Sequence, residues 1–218
     1  MSNSAAATEH LRVIRGMMER ATVYRAISAP AAIFGGILAA VAGGYFFIRA
    51  GGDGRPVEGR DFFWTWVGVL VVAGLFNAVL LWRSSSRAGE PFCSPGMKLA
   101  CLSLAPTLLA GGILSYTVAR DYDEFELCAL AWILCYGAAL LAMGGVAPRS
   151  IRRLGWMFLV SGVLLFLAWR GFGPAFAPQL GIDDLQAASC MMMATFGFLH
   201  LVHGVGVMVR RGGGGEPV

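Results

Sequence analysis

Long apolar runs alternate with short, breaker-rich connections along this chain. Six runs stand out, at about Ala29–Ile48, Phe62–Trp82, Met97–Ala119, Phe125–Val146, Leu154–Trp169 and Ala187–Val209. A bilayer core of about 30 Å needs about 20 helical residues at about 1.5 Å each. Each run therefore predicts a membrane-crossing helix, and the fifth is the shortest. The connections "AGGDGRPVEG", "RSSSRAGEPFCSPG", "APRS" and "GFGPAFAPQLGIDD" are too short to form a domain, and their glycines and prolines end helices. The pattern predicts an all-α fold, a polytopic transmembrane bundle of six helices.

Residues 8–28 have a different periodicity. At 100° per residue, Leu11, Ile14, Met17, Met18, Ala21 and Tyr24 share one face, with Arg12, Arg15 and Glu19 opposite. A basic amphipathic helix beside a membrane lies in the interface, where its arginines meet anionic headgroups, or docks on a partner. Both readings use Arg12, Arg15, Arg20 and Arg25. The expected organisation is an amphipathic N-terminal segment (1–28), a six-helix transmembrane domain (29–209) and a flexible tail (210–218). No cleavable leader is expected, because the first apolar run begins only near Pro30.

Composition agrees. The 218 residues are 57% hydrophobic and 14% charged, against about 25% charged in soluble domains, and the mean hydropathy is +0.66. The basic residues are spread among short loops, which argues against nucleic acid as a partner. Twelve of the seventeen Lys/Arg lie in the N-terminal segment, the second and fourth connections and the tail. The positive-inside rule then places both termini in the cytoplasm. Nine of the thirteen Asp/Glu fall on the other side, in "RDYDEFE" and its neighbouring loops, where acids suit solvated turns and helix starts. Phe62, Phe63, Trp64 and Trp66 open the second span, Trp82 closes it, and Trp156 and Trp169 bracket the fifth. All are expected to be interfacial anchors.

Candidate chemistry is sparse. No charged side chain falls in the middle of a span, which weakens an ion-coupled carrier. Asn77, Tyr136 and His200 lie at similar depths on spans running the same way, so they form a candidate polar cluster at the midplane, with His203 one turn further on. A hydrogen-bonded core contact is one explanation. The alternative is a soft-metal path for copper along the sixth span, from Cys128, Cys190, Met193 and His200. On an α-helix Cys190, Met193, His200 and His203 share an arc of about 140°, whereas the consecutive Met191, Met192 and Met193 point three ways. His200 and His203, three residues apart on one face, cannot ligate opposite sides of one haem iron. No nucleophile elbow, phosphate loop or zinc-protease motif is present, so neither catalysis nor a cofactor is expected.

The segments "MMERATVYRAISAPAAIFGG", "WILCYGAALLAMGG" and "TFGFLHLVHGVG" resemble an uncharacterised family of bacterial six-span inner-membrane proteins. The resemblance covers most of the chain and implies a bacterial inner-membrane location. It carries no activity and no functional residue. The function expected is that of a non-catalytic membrane protein, a sensor, accessory or scaffold subunit. Its partners would be the lipid bilayer and a cytoplasmic or membrane protein met through the N-terminal helix and loops. A small transporter or copper-handling protein is the alternative, and the chain does not reveal an oligomeric state.

Overall fold

The structure is a computed structural model that describes residues 29–52, 56–87, 89, 91–93, 95–143 and 147–212. The segment 1–28, with Arg12, Arg15, Arg20 and Arg25, lies outside the described residues, as does the tail beyond residue 212. The protein is all-helical, about 90% helix, with no strand among the described residues. The helices are α1 (Ala29–Ala50), α2 (Gly59–Arg87), α3 (Pro95–Asp121), α4 (Phe125–Ala142), α5 (Arg149–Leu180), α6 (Asp184–Met192) and α7 (His200–Gly212). A π-helical segment, Met193–Leu199, joins the last two into one rod. Six spans are long and apolar enough to cross a membrane, the sixth being Asp184–Arg210.

The fifth helix departs most from expectation. It is the longest, at 32 residues, and absorbs most of the stretch read as a connection. Pro174 and Pro178 each remove one N–H donor, but prolines four apart free carbonyls on the same stripe and leave the rest of the ladder intact. The helix stops where Gly181 takes φ +63°, the left-handed turn that glycine adopts freely at a helix C-terminus. The fourth helix is shorter than expected. It ends at Ala142, and residues 144–146 lie outside the described residues.

Local chemistry starts the sixth span. Asp183 Oδ1 accepts from the Gln186 amide at 2.7 Å, and Gln186 Oε1 accepts from the Asp183 amide at 3.1 Å, a capping box that satisfies two otherwise orphaned donors. Gln186 Nε2 also donates to the Phe47 carbonyl at 3.4 Å and so ties α6 to α1. Across the same end, Asp123 adopts φ +51° in the α3–α4 turn. Its Oδ1 accepts from the Gly59 amide at 2.9 Å, which pins the start of α2 to that turn.

α4 is the central helix and packs on α3, α5 and α6. Between helices in lipid there is little hydrophobic drive, so close approach of small residues carries the packing. The α4–α5 crossing shows it. A Cβ added at Gly155 would sit 3.0 Å from the Gly137 carbonyl oxygen, and one at Gly137 would sit 3.1 Å from that of Gly155. The glycine pairs at 35/36, 43/44 and 111/112 therefore do not break helices. Gly36 meets the Gly197 backbone and Gly111 meets Cys135, while Gly44 and Gly112 face open space. α2 is buried only near its start, at Gly59, Phe62, Phe63 and Trp66. Of the residues expected at the interface, Phe62, Phe63 and Trp66 are thus core, whereas Trp64, Trp82 and Trp156 are exposed. Phe62 packs on Phe46 and Phe125, Phe63 on Trp132, and Trp66 on Phe62 and Phe196.

The two ends of the bundle differ in charge. All described carboxylates gather at one end, in the α1–α2, α3–α4 and α5–α6 connections and the adjoining helix turns. There the cations are paired, with Arg60 on Glu58 at 3.0 Å, Arg120 on Asp121 at 3.7 Å and Arg170 on Glu126 at 3.9 Å. The other end presents Arg83, Arg87, Lys98, Arg149, Arg152, Arg153 and Arg210, all exposed. Among the described residues, no carboxylate lies at that basic end.

Candidate functional site

The most polar contact inside the bundle joins α4 to the start of α7. Tyr136 Oη lies 2.9 Å from His200 Nε2, and His200 Nδ1 lies 3.0 Å from the Phe196 carbonyl oxygen. A carbonyl can only accept, so Nδ1 carries the proton and Nε2 accepts from the tyrosine hydroxyl. Both ring nitrogens are then used by the protein itself. Phe158 and Phe196 wall the pair, with centroids 5.2 and 6.0 Å from the imidazole and 4.9 and 5.0 Å from the phenol. This arrangement locks a neutral imidazole in an aromatic box, and it leaves no lone pair for a metal.

The π-helical segment sets this geometry. In a π-helix the backbone bonds i to i+5, one residue further along than in an α-helix. That extra residue rotates His200 relative to Cys190, which straight α-helical periodicity could not foresee. Nearby hydroxyls bond back to their own helix: Ser189 Oγ donates to the Leu185 carbonyl at 2.6 Å, and Thr195 Oγ1 to that of Met191 at 2.7 Å. Such back-bonding competes with the backbone ladder where it changes pitch. Gly197, against Ala40 of α1, keeps the widened turn flush with its neighbour.

The other expected members do not join. Asn77 is half-buried on α2 and makes no side-chain hydrogen bond among the described residues. It neighbours Phe76, whose ring stacks on Phe34 of α1 at 4.2 Å, so this part of α2 packs on α1. His203 Nε2 is buried without a partner, so His203 takes no part in the Tyr136–His200 bond. The four metal candidates disperse. Cys128 is buried and Cys190 exposed, and all five cysteines are free. Met193 fills the notch left by Gly43 of α1, while His200 faces α4. Among the described residues, no three His, Cys, Asp or Glu side chains converge.

One ionisable side chain escaped the sequence pattern. Glu126, in the first turn of α4, is only 2% exposed, although "RDYDEFE" reads as a solvated turn. Oε1 has the distant Arg170 contact, and Oε2 has no partner. A signal exists in hindsight, since Glu126, Ala129, Ile133, Gly137 and Leu140 follow helical spacing and all are buried. An incompletely paired buried carboxylate opposes folding, and the solvated guanidinium returns little. Glu126→Gln is therefore expected to raise stability by about 1 kcal/mol, and Arg170→Gln to lower it by less than about 1 kcal/mol. Thermal unfolding of both variants in the same detergent checks this, and a clear loss of stability in Glu126→Gln would contradict it.

Fold and interior together define a multi-pass α-helical membrane protein. Comparison of the chain with known protein families, curated proteins and solved structures finds no match.

Proposed function

We propose that this is a non-catalytic integral protein of a bacterial inner membrane, a sensor, accessory or scaffold subunit with both termini in the cytoplasm. The observation that supports this most is the closed Tyr136–His200 contact. The Tyr136–His200 pair spends its hydrogen-bonding capacity within the protein, behind Phe158 and Phe196, as a packing element does. Orientation draws on the unpaired cations at the basic end, which the positive-inside rule assigns to the cytoplasm. Action then falls to the cytoplasmic parts, namely the segment 1–28 with Arg12, Arg15, Arg20 and Arg25, and the connecting loops.

Two measurements test this reading. Full-length protein purified in detergent is expected to hold no stoichiometric Cu(I), and His200→Ala is expected to leave its metal content unchanged. Photocrosslinkers placed at Arg12 and Arg20 in membranes are expected to capture a defined protein, and deletion of residues 1–27 to abolish the complex recovered through a C-terminal tag. Stoichiometric copper that disappears in His200→Ala would overturn the proposal in favour of the transport or copper-handling alternative. So would an unchanged set of partners after the deletion.

A further inference from the structure

The first two turns of α5 gather three arginines and a tryptophan on one face. Arg149, Arg152, Arg153 and Trp156 follow i, i+3, i+4, i+7 spacing, so they share one face within an arc of about 100°. All four are exposed. The opposite face, with Leu154 and Phe158, is buried against α4. No acid occupies the first turn of α5, and the Pro148 carbonyl that begins the helix accepts from the amides of Ile151 and Arg152. The positive end of a 32-residue helix thus adds to three guanidiniums that have no carboxylate partner among the described residues. Arg60, Arg120 and Arg170 at the acidic end sit against carboxylates, whereas these three arginines share one helix face with a tryptophan and no described acid.

Below the arginines the same face turns apolar. Trp156 stands one turn down, at the depth where indoles sit among headgroups, and Val160, Val163 and Leu167 continue the stripe, all exposed. We propose that this face of α5 binds an anionic phospholipid, its phosphates on Arg149, Arg152 and Arg153 and its acyl chains along Trp156, Val160 and Leu167. A soluble phosphate would satisfy the arginines but not the stripe beneath them. A neutral lipid would satisfy the stripe but leave the arginines without a counter-charge. Planar guanidiniums suit phosphate oxygens in bidentate fashion, so a lipid with two phosphates gains most. This site is distinct from the partner surface proposed above and does not depend on it.

The test uses full-length protein in a neutral detergent, followed by native mass spectrometry. Tetraoleoyl cardiolipin, dioleoyl phosphatidylcholine and sodium tripolyphosphate are titrated separately. Cardiolipin is expected to stay bound and phosphatidylcholine to be lost. Each arginine is expected to contribute about fivefold, so the triple change Arg149→Gln, Arg152→Gln, Arg153→Gln weakens cardiolipin binding about a hundredfold. The matching triple change to lysine keeps the charge but loses the bidentate fork, so it is expected to bind about tenfold more weakly than wild type, and Arg60→Gln, at the opposite end, alters nothing. Should the triple glutamine variant not fold, single Arg152→Gln and Arg153→Gln variants each read the fivefold loss. Equal retention of phosphatidylcholine, wild-type cardiolipin affinity in the glutamine variants, or full displacement of cardiolipin by tripolyphosphate would each overturn the proposal.

Discussion

Leucine at Gly155 is expected to destabilise the bundle by about 3 kcal/mol, the upper part of the range for overpacking. Even a single Cβ there meets the Gly137 carbonyl at 3.0 Å, Leu140 Cβ at 3.1 Å and Leu141 Cδ2 at 3.1 Å. The end of Leu141 can rotate aside, but a backbone carbonyl in the central helix cannot. The leucine must therefore push α5 off α4, and contacts are lost along the crossing rather than at one point. Gly112 supplies the control, since nothing lies within 4 Å of its added Cβ. Leucine there is expected to be neutral or to stabilise by up to about 1 kcal/mol, from helix propensity alone. Reversible unfolding in bicelles compares the two directly. Similar effects at both sites would show that α4 and α5 do not approach as closely as described.

The second large effect lies at His200. Alanine there removes an aromatic side chain packed between Phe158, Phe196 and Tyr136 and strands the tyrosine hydroxyl. Emptying such a site costs about 3 kcal/mol. Tyr136→Phe keeps the ring and loses only the donor, so it is expected to cost about 1 kcal/mol. Because the two side chains share one hydrogen bond, the double variant should lose less than the sum, by about 0.6–1.7 kcal/mol, from the average to the largest coupling of interhelical bonds in membranes. A strictly additive cycle would mean that the 2.9 Å contact contributes nothing to stability.

How much of this was legible in the sequence differs from element to element. The six spans are legible because the bilayer imposes one length and one composition, and no local detail can hide a run of about 20 apolar residues. Tyr136 and His200 are legible as a pair because rise per residue fixes depth even when rotation is unknown. Rotation is where the reading stops. The π-helical turn shifts His200 against Cys190 without any change in hydrophobicity, so an arc drawn with one pitch throughout does not describe this helix. Trp66 and Trp64 stand two residues apart on an α-helix, on different faces. Trp66 packs on Phe62 and Phe196 and is core, whereas Trp64 is exposed, and periodicity alone does not say which face of α2 the bundle covers. α5 overran its expected end because prolines mark lost donors, and lost donors end a helix only where no other contacts hold it. Glu126 stayed hidden because charge in a loop-like context reads as solvated, and burial there depends on α5 and α6 arriving from far along the chain.

The unequal lengths of α4 and α5 bear on the membrane itself. With 18 residues, α4 is about 27 Å long, slightly less than an average hydrocarbon layer, and it stands at the centre of the assembly. With 32 residues, α5 is about 48 Å long and cannot run upright beside it without leaving the hydrocarbon. Such a pair has unequal reach: the short axle stays within the layer, while the long strut leans and emerges at a slant. Because α4 is enclosed by α3, α5 and α6, lipid meets the longer helices, and their excess length is expected to be taken up by tilt rather than by thinning of the bilayer.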